Sequence, residues 1–176
     1  EVYDLIEKDL LQAINLLKAG DQENSIFRPN VNAAYLFLSR IYLQQKRWED
    51  AKKMSSTLIT ESGATIETLE NMSKYIANGI TLYNNSNKSI LFSWGRRDNS
   101  PLSTSTSEAG HWEVSQDLRN LYVKKDNAED IRATAFFDKY KPYYPKKYYT
   151  FTRSCNDWCY RIEEAYLNRA EACIEL

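Results

Sequence analysis

The sequence predicts a mainly α protein. It is built of tetratricopeptide-like helix pairs with a long irregular insertion containing short extended segments. Three observations carry that expectation. Arg28 to Thr60 reads as two amphipathic helices joined by a polar turn. Residues 1–19 and Tyr160 to Leu176 also carry apolar residues at helical spacing. Between them, residues 61–159 lack sustained periodicity and are rich in loop formers and aromatics. One domain follows, with a helical repeat region over 1–60, a loop-rich region over 61–159 and a scaffold helix over 160–176.

In the first helix Val2, Leu5, Ile6, Leu10, Ala13 and Leu17 form an apolar face, and Gly20 is a natural stop. Pro29 makes the chain extended, and Asn30 or Asn32 can cap the next helix by accepting a backbone N–H. That helix carries Ala34, Phe37, Leu38, Ile41 and Tyr42 on one face. Gln44 to Arg47 is too short for anything but a turn. Trp48, Ala51, Met54 and Leu58 form the facing stripe of the following helix. Such a pair cannot bury its apolar faces alone and must stack on further helices.

Ser62-Gly63 marks a break, and residues 64–78 hold a short helix with Ile66, Leu69, Met72 and Ile76 apolar. Ser89 to Trp94 is the best strand candidate. Gly95 to Gly110 is a long surface loop rich in Ser and Thr. Residues 113–123 read as helical, Pro142 and Pro145 interrupt regular structure, and Lys147 to Thr152 suits a second extended segment. In the last helix Ile162, Ala165, Tyr166, Ala170 and Cys173 share a face with Arg169 beside them, and a packed Arg calls for a carboxylate partner.

Hydrophobic residues make up 43% of the 176, charged residues 27%, and the formal net charge is −1. A near-neutral chain gives no electrostatic reason for nucleic-acid binding. The aromatic content points elsewhere. There are 13 Tyr and 4 Trp, and six of the Tyr fall between Tyr140 and Tyr160. A sugar site needs flat aromatics for C–H faces beside hydrogen-bonding side chains. Trp94, Trp112, Tyr143, Tyr144, Tyr148, Tyr149 and Trp158 form the candidate set, of which Trp112, Tyr143 and Tyr144 border loops, and Arg96, Arg97, Asp98, Asn99 and His111 can supply polar contacts. Against this stands the simpler reading that most of these rings pack on helices.

Other chemistry finds little support. Three Cys and one His are too few for a metal site. Cys155 and Cys159 fit either one helical face or a small loop closed by a disulfide. Glu163, Glu164 and Glu171 lie on a helix with Arg161 and Arg169, which suits structural ion pairs better than acid–base catalysis. His111 has no triad arrangement around it. A different use of the scaffold is a tetratricopeptide-type groove around Tyr35, Arg40 and Gln44 that holds a peptide or partner helix.

Three separated motifs can be read together: Val2-Tyr3-Asp4-Leu5-Ile6-Glu7-Lys8-Asp9-Leu10, Arg28-Pro29-Asn30 leading into Asn32–Leu43 and Trp48–Ala51, and Arg161–Ala172. Their order resembles the SusD/RagB family of outer-membrane nutrient-binding lipoproteins. Ile90–Ser93 and the segment from Trp112 to Arg132 resemble further parts of that family's pattern. Phe27 and Glu163 depart from it, standing where Gly and a small residue are usual. The resemblance implies a non-catalytic glycan-binding protein without a cofactor, on the extracellular face of the outer membrane. It would act as a lid over a TonB-dependent transporter, with a lipid anchor outside this stretch. The chain would then be an internal portion of a longer protein. The ligand surface would lie in the irregular region, at Trp94, Arg96, Trp112, Tyr143 and Tyr144.

Overall fold

The structure is a computed structural model that describes residues 1–20, 25–78, 86–94, 115, 117, 121 and 158–176. In order these form α1 (Val2–Ala19), α2 (Val31–Gln44), α3 (Trp48–Glu61), α4 (Leu69–Ala77), β1 (Ile90–Trp94), β2 (Trp158–Arg161) and α5 (Ile162–Glu175). The chain divides into two units. One comprises Glu1–Ile66, Lys88–Trp94 and Cys159–Leu176, and the other Glu67–Asn87 and Gly95–Trp158.

The first unit is organised around α2. Asn30 is its N-cap, accepting the Ala33 N–H at 3.0 Å. Its Nδ2 also donates to the Leu91 carbonyl at 2.9 Å, across 61 residues, so one side chain starts the helix and pins β1 to it. α2 buries Ala34, Tyr35, Leu36, Leu38, Ile41 and Tyr42. That set extends beyond a single stripe, because α1, α3, α5 and β1 all pack around the helix. Phe37, expected on the buried face, is 38% exposed and meets Tyr160 edge-on instead.

The turn into α3 is a Schellman motif. The Arg47 N–H bonds the Tyr42 carbonyl at 2.8 Å, and the Lys46 N–H bonds that of Leu43 at 2.9 Å. Lys46 takes the left-handed conformation, φ 57°, that glycine usually fills. Arg47 then locks the corner. It donates twice to Glu7 of α1, at 2.5 and 3.1 Å, and to Asp50 at 2.8 Å, with its guanidinium 4.3 Å from the Tyr42 ring centre. The Tyr42 hydroxyl donates to the same Glu7 at 2.9 Å. Burial, followed by the Glu7 bond, pushes the Tyr42 pKa up to about 12.

α1 therefore sits differently from its predicted face. Val2 and Leu5 are exposed, while Ile14 is buried and Leu10 packs against the core. The helix packs on α2, and the Glu7 network at one end and Ile14 further along set its rotation.

α5 completes the enclosure by packing on α3 and, less extensively, on α2. Small residues permit the approach: Ala51 and Ser55 on α3, and Ala165 and Ala172 on α5, are fully buried. The α5 face also corrects the predicted one. Ile162, Ala165, Asn168 and Ala172 are buried, whereas Tyr166, Ala170 and Cys173 are exposed. The rotation follows from Asn168, whose Nδ2 donates to the buried Ser39 hydroxyl at 2.8 Å. Ser39 in turn donates to the Leu36 carbonyl. Leu36, Leu38, Leu58 and Ile162 are fully buried, and each contributes about 1.5–3 kcal/mol of burial free energy.

The strand predicted over 89–94 is present as β1. Its partner β2 was not expected, because Tyr160 and Arg161 read as the start of the final helix. Ser89 accepts the Ile162 N–H and Phe92 stacks on Tyr160, so the two strands run in opposite directions. β1 supplies backbone partners, and Tyr160 and Arg161 are extended before the helix begins at Ile162. Cys159 thus lies in a strand, not on a helical face. Cys155, the helix predicted over 113–123 and the extended segment over 147–152 fall outside the described residues, apart from isolated positions.

In the second unit, α4 is shorter than the predicted 64–78. Thr68 caps it by accepting the Asn71 N–H at 3.2 Å. Tyr75 spans Glu67 and the Ser86 carbonyl, both at 3.1 Å.

Two outcomes are expected. Lys46→Gly relieves the left-handed strain and raises the unfolding free energy by about 1 kcal/mol, measured by urea denaturation. The second concerns acid. Glu7 titrates below the ordinary carboxylate value, first because Arg47 bonds its charged form and then through Tyr42. Its stabilisation is therefore complete above the unfolded value near 4.5 and is lost as pH falls through the lower native one. In Glu7→Gln the denaturation midpoint loses this acid dependence, at a cost of about 1 kcal/mol at neutral pH.

Candidate functional site

The residues predicted to meet a ligand are Trp94, Arg96, Trp112, Tyr143 and Tyr144. Trp94 ends β1. The Trp94 side chain and the other four residues lie outside what is described. Among the described residues, other aromatics gather where scaffold elements meet.

The richest cluster joins α2, β1 and β2. Tyr160 stacks on Phe92 with ring centres 5.6 Å apart and 25° between planes. Phe37 meets it edge-on at 5.8 Å. The Arg40 guanidinium lies 4.7 Å from the Tyr160 centre and 5.3 Å from that of Phe37. Both Glu164 carboxylate oxygens accept from Arg40, one from Nε and one from Nη2 at 2.6 Å. The Glu164 bond, ahead of opposing desolvation, raises the Arg40 pKa. Stacking and the guanidinium thus occupy the ring of Tyr160, and the cluster acts as a clasp between α2 and α5. Arg161 pairs with Glu163 at 3.6 Å, as the sequence suggested, whereas Arg169 lies over Tyr166 at 5.3 Å.

Two of the three groove residues are similarly committed. Tyr35 is 6% exposed, with the Lys18 ammonium 5.3 Å from its ring centre. Arg40 is engaged by Glu164, and Gln44 is exposed. No group of three His, Cys, Asp or Glu converges as a metal site among the described residues. No described helix is long and apolar enough to cross a membrane.

A concave feature that sequence reasoning missed lies at the start of α2. It is a crevice of about 230 Å³ lined by Ile26, Asn30, Asn32, Ser62, Gly63, Ala64, Lys88, Ile90 and Leu91. The antiparallel pair places the first turn of α2 near the end of α3, and β1, which packs on α2, contributes Ile90 and Leu91. Gly63 allows the chain to leave α3 at φ 67°, and Thr65 then bonds the Lys88 carbonyl at 3.2 Å. Asn32 is 8% exposed. Its signal in the sequence was a polar residue set into the first turn of an otherwise apolar helix.

An antiparallel helix pair enclosed by a neighbouring helix on one side and a distant one on the other makes this a mainly helical scaffold. In fold it is similar to solved SusD superfamily proteins. Residues 1–43, which include α1 and nearly all of α2, match the SusD-like family model described as "Starch-binding associating with outer membrane". The chain is similar to a SusD superfamily protein of Bacteroides thetaiotaomicron VPI-5482, with a TM-score of 0.69 and 20% identity. That match covers 98% of this chain and 42% of the other. A SusD-like carbohydrate binding protein of Bacteroides vulgatus ATCC 8482 aligns with a TM-score of 0.66 and 20% identity, covering 97% of this chain and 39% of that one. The chain thus spans about two fifths of the length of these structures. No curated protein matches it. The resemblance read from the ordered motifs is borne out.

The clasp is testable by a double-mutant cycle. Arg40→Met and Glu164→Gln are each expected to cost about 1–2 kcal/mol of unfolding free energy, with a coupling near 1 kcal/mol because they remove the same bonds.

Proposed function

We propose that this chain is the scaffold portion of a surface glycan-binding protein that delivers oligosaccharide to a TonB-dependent outer-membrane transporter. The observation that carries the reading is the SusD-like fold across the chain, joined to the match of residues 1–43 with a starch-binding, outer-membrane-associated family. The similar protein of Bacteroides vulgatus, described as carbohydrate binding, supports the same ligand class. The protein binds and hands on its ligand without chemical change. It sits on the extracellular face, anchored by lipid outside this stretch.

In this reading the ligand lies against Trp94, Trp112, Tyr143 and Tyr144, with Arg96 as a hydrogen-bond donor. Rings at such a site stack on the apolar faces of sugars, and nearby polar side chains read the hydroxyls. Among the described aromatics, Tyr35, Tyr42, Phe92 and Tyr160 are spent on the scaffold, and the candidate group is proposed on residue type and its place beside loops.

Calorimetric titration of the full-length protein against a polysaccharide panel tests the proposal. One neutral or acidic glycan is expected to bind, with Trp112→Ala, Tyr143→Ala and Tyr144→Ala each weakening it roughly three- to tenfold. Unchanged affinity in all three variants eliminates this site. Failure to co-purify with any TonB-dependent transporter counts against delivery.

A further inference from the structure

α1 is the least committed helix of the first unit. Of its 18 residues only Ile14 is buried, whereas eight of the 14 residues of α2 are. Val2, Leu5 and Leu16 point outward, 71%, 60% and 66% exposed. Its main contact is with α2, and Leu10 and Ile14 are its residues in the apolar core. A helix of this length is itself only marginally stable in water, so it persists through what it packs on.

Charged groups supply the rest of the attachment, in two clasps. Glu7 accepts from both Nη groups of Arg47, at 2.5 and 3.1 Å, and from the Tyr42 hydroxyl at 2.9 Å. Further along the helix, Lys18 reaches Glu61 of α3 at 3.3 Å, and its ammonium lies 5.3 Å from the ring centre of Tyr35. Ion pairs as exposed as Lys18 with Glu61 are weak and screened by salt. The seam between α1 and α2 is thus polar towards both ends and apolar between them, at Leu10 and Ile14. The α2 residues that meet the clasps are Tyr35 and Tyr42, whose rings tolerate water at one edge. By contrast α2, α3 and α5 share the fully buried Leu36, Leu38, Leu58 and Ile162.

We propose that α1 is a strap that undocks from α2 as a unit, ahead of global unfolding, while α2, α3 and α5 stay assembled. The open form is a minor state that frees Glu7 and Lys18 and uncovers Tyr35 and Tyr42. Ionic strength sets its population, because the clasps are ionic. The motion is independent of what the protein binds.

Native-state hydrogen exchange of the full-length protein, followed residue by residue with increasing urea, tests this. Amides from Leu10 to Leu17 are expected to be protected at least about 100-fold less than those from Leu36 to Ile41. Their urea dependence is expected to be shallow, because a partial opening exposes little surface. Raising the salt from about 0.1 to about 1 M is expected to lower α1 protection roughly three- to fivefold. Arg40→Met removes the α2–α5 clasp, which the open form retains, so it lowers protection in α2 and leaves that of α1 unchanged. Equal protection and equal urea slopes in α1 and α2 would overturn the proposal, as would a parallel loss in both helices on Arg40→Met, since either result makes α1 part of one cooperative unit. Low protection confined to the first turn would be end fraying and would overturn it too. So would α1 protection that salt leaves unchanged.

Discussion

α2 is apolar around most of its circumference, so it is stable only when enclosed. α1 and α3 adjoin it in sequence and supply two walls. The third wall, α5, comes from far along the chain. Until α5 docks, Leu38, Leu58 and the small residues of α3 face water. Register at that contact is set by polar groups within it. Asn168 reaches Ser39 across 129 residues, and Glu164 holds Arg40 across 124. A rotation of α5 would strand Asn168 or the guanidinium, and either loss exceeds what exchanging one apolar residue for another would gain.

The same economy explains where the described aromatics and cations go. Tyr42 lies under Arg47, Tyr35 under Lys18, and Tyr160 between Phe92 and Arg40. Each ring caps a junction between elements, and the cation above it stays hydrated on its outer side. Tyrosine abundance in this chain is thus partly architectural. Composition alone could not separate rings that clasp helices from rings offered to a ligand.

Much of the scaffold was legible in the sequence. The α2–α3 pair, the Asn30 cap, the turn at Gln44–Arg47 and the strand at β1 follow from local periodicity and local hydrogen bonding, which neighbouring residues determine. What escaped depends on distant partners. The rotation of α5 is fixed by Asn168 meeting Ser39, and β2 exists because β1 offers it backbone groups. Phe37 turns outward because Tyr160 meets it there. The crevice arises only when two helix ends and a strand converge. For the aromatic candidates Trp94, Arg96, Trp112, Tyr143 and Tyr144, sequence gave residue types suited to a sugar, and no periodicity to place them.

The separation between Arg40 and Glu164 also bears on how such proteins diversify. The entropic cost of closing a chain segment rises only with the logarithm of its length, so doubling the connection adds about 0.6 kcal/mol. The clasp that closes the scaffold reads almost nothing of what lies between its two halves. Descendants can therefore rewrite, lengthen or replace that stretch while α2, α3 and α5 continue to find one another. In such a lineage the frame is inherited and specificity is exchanged.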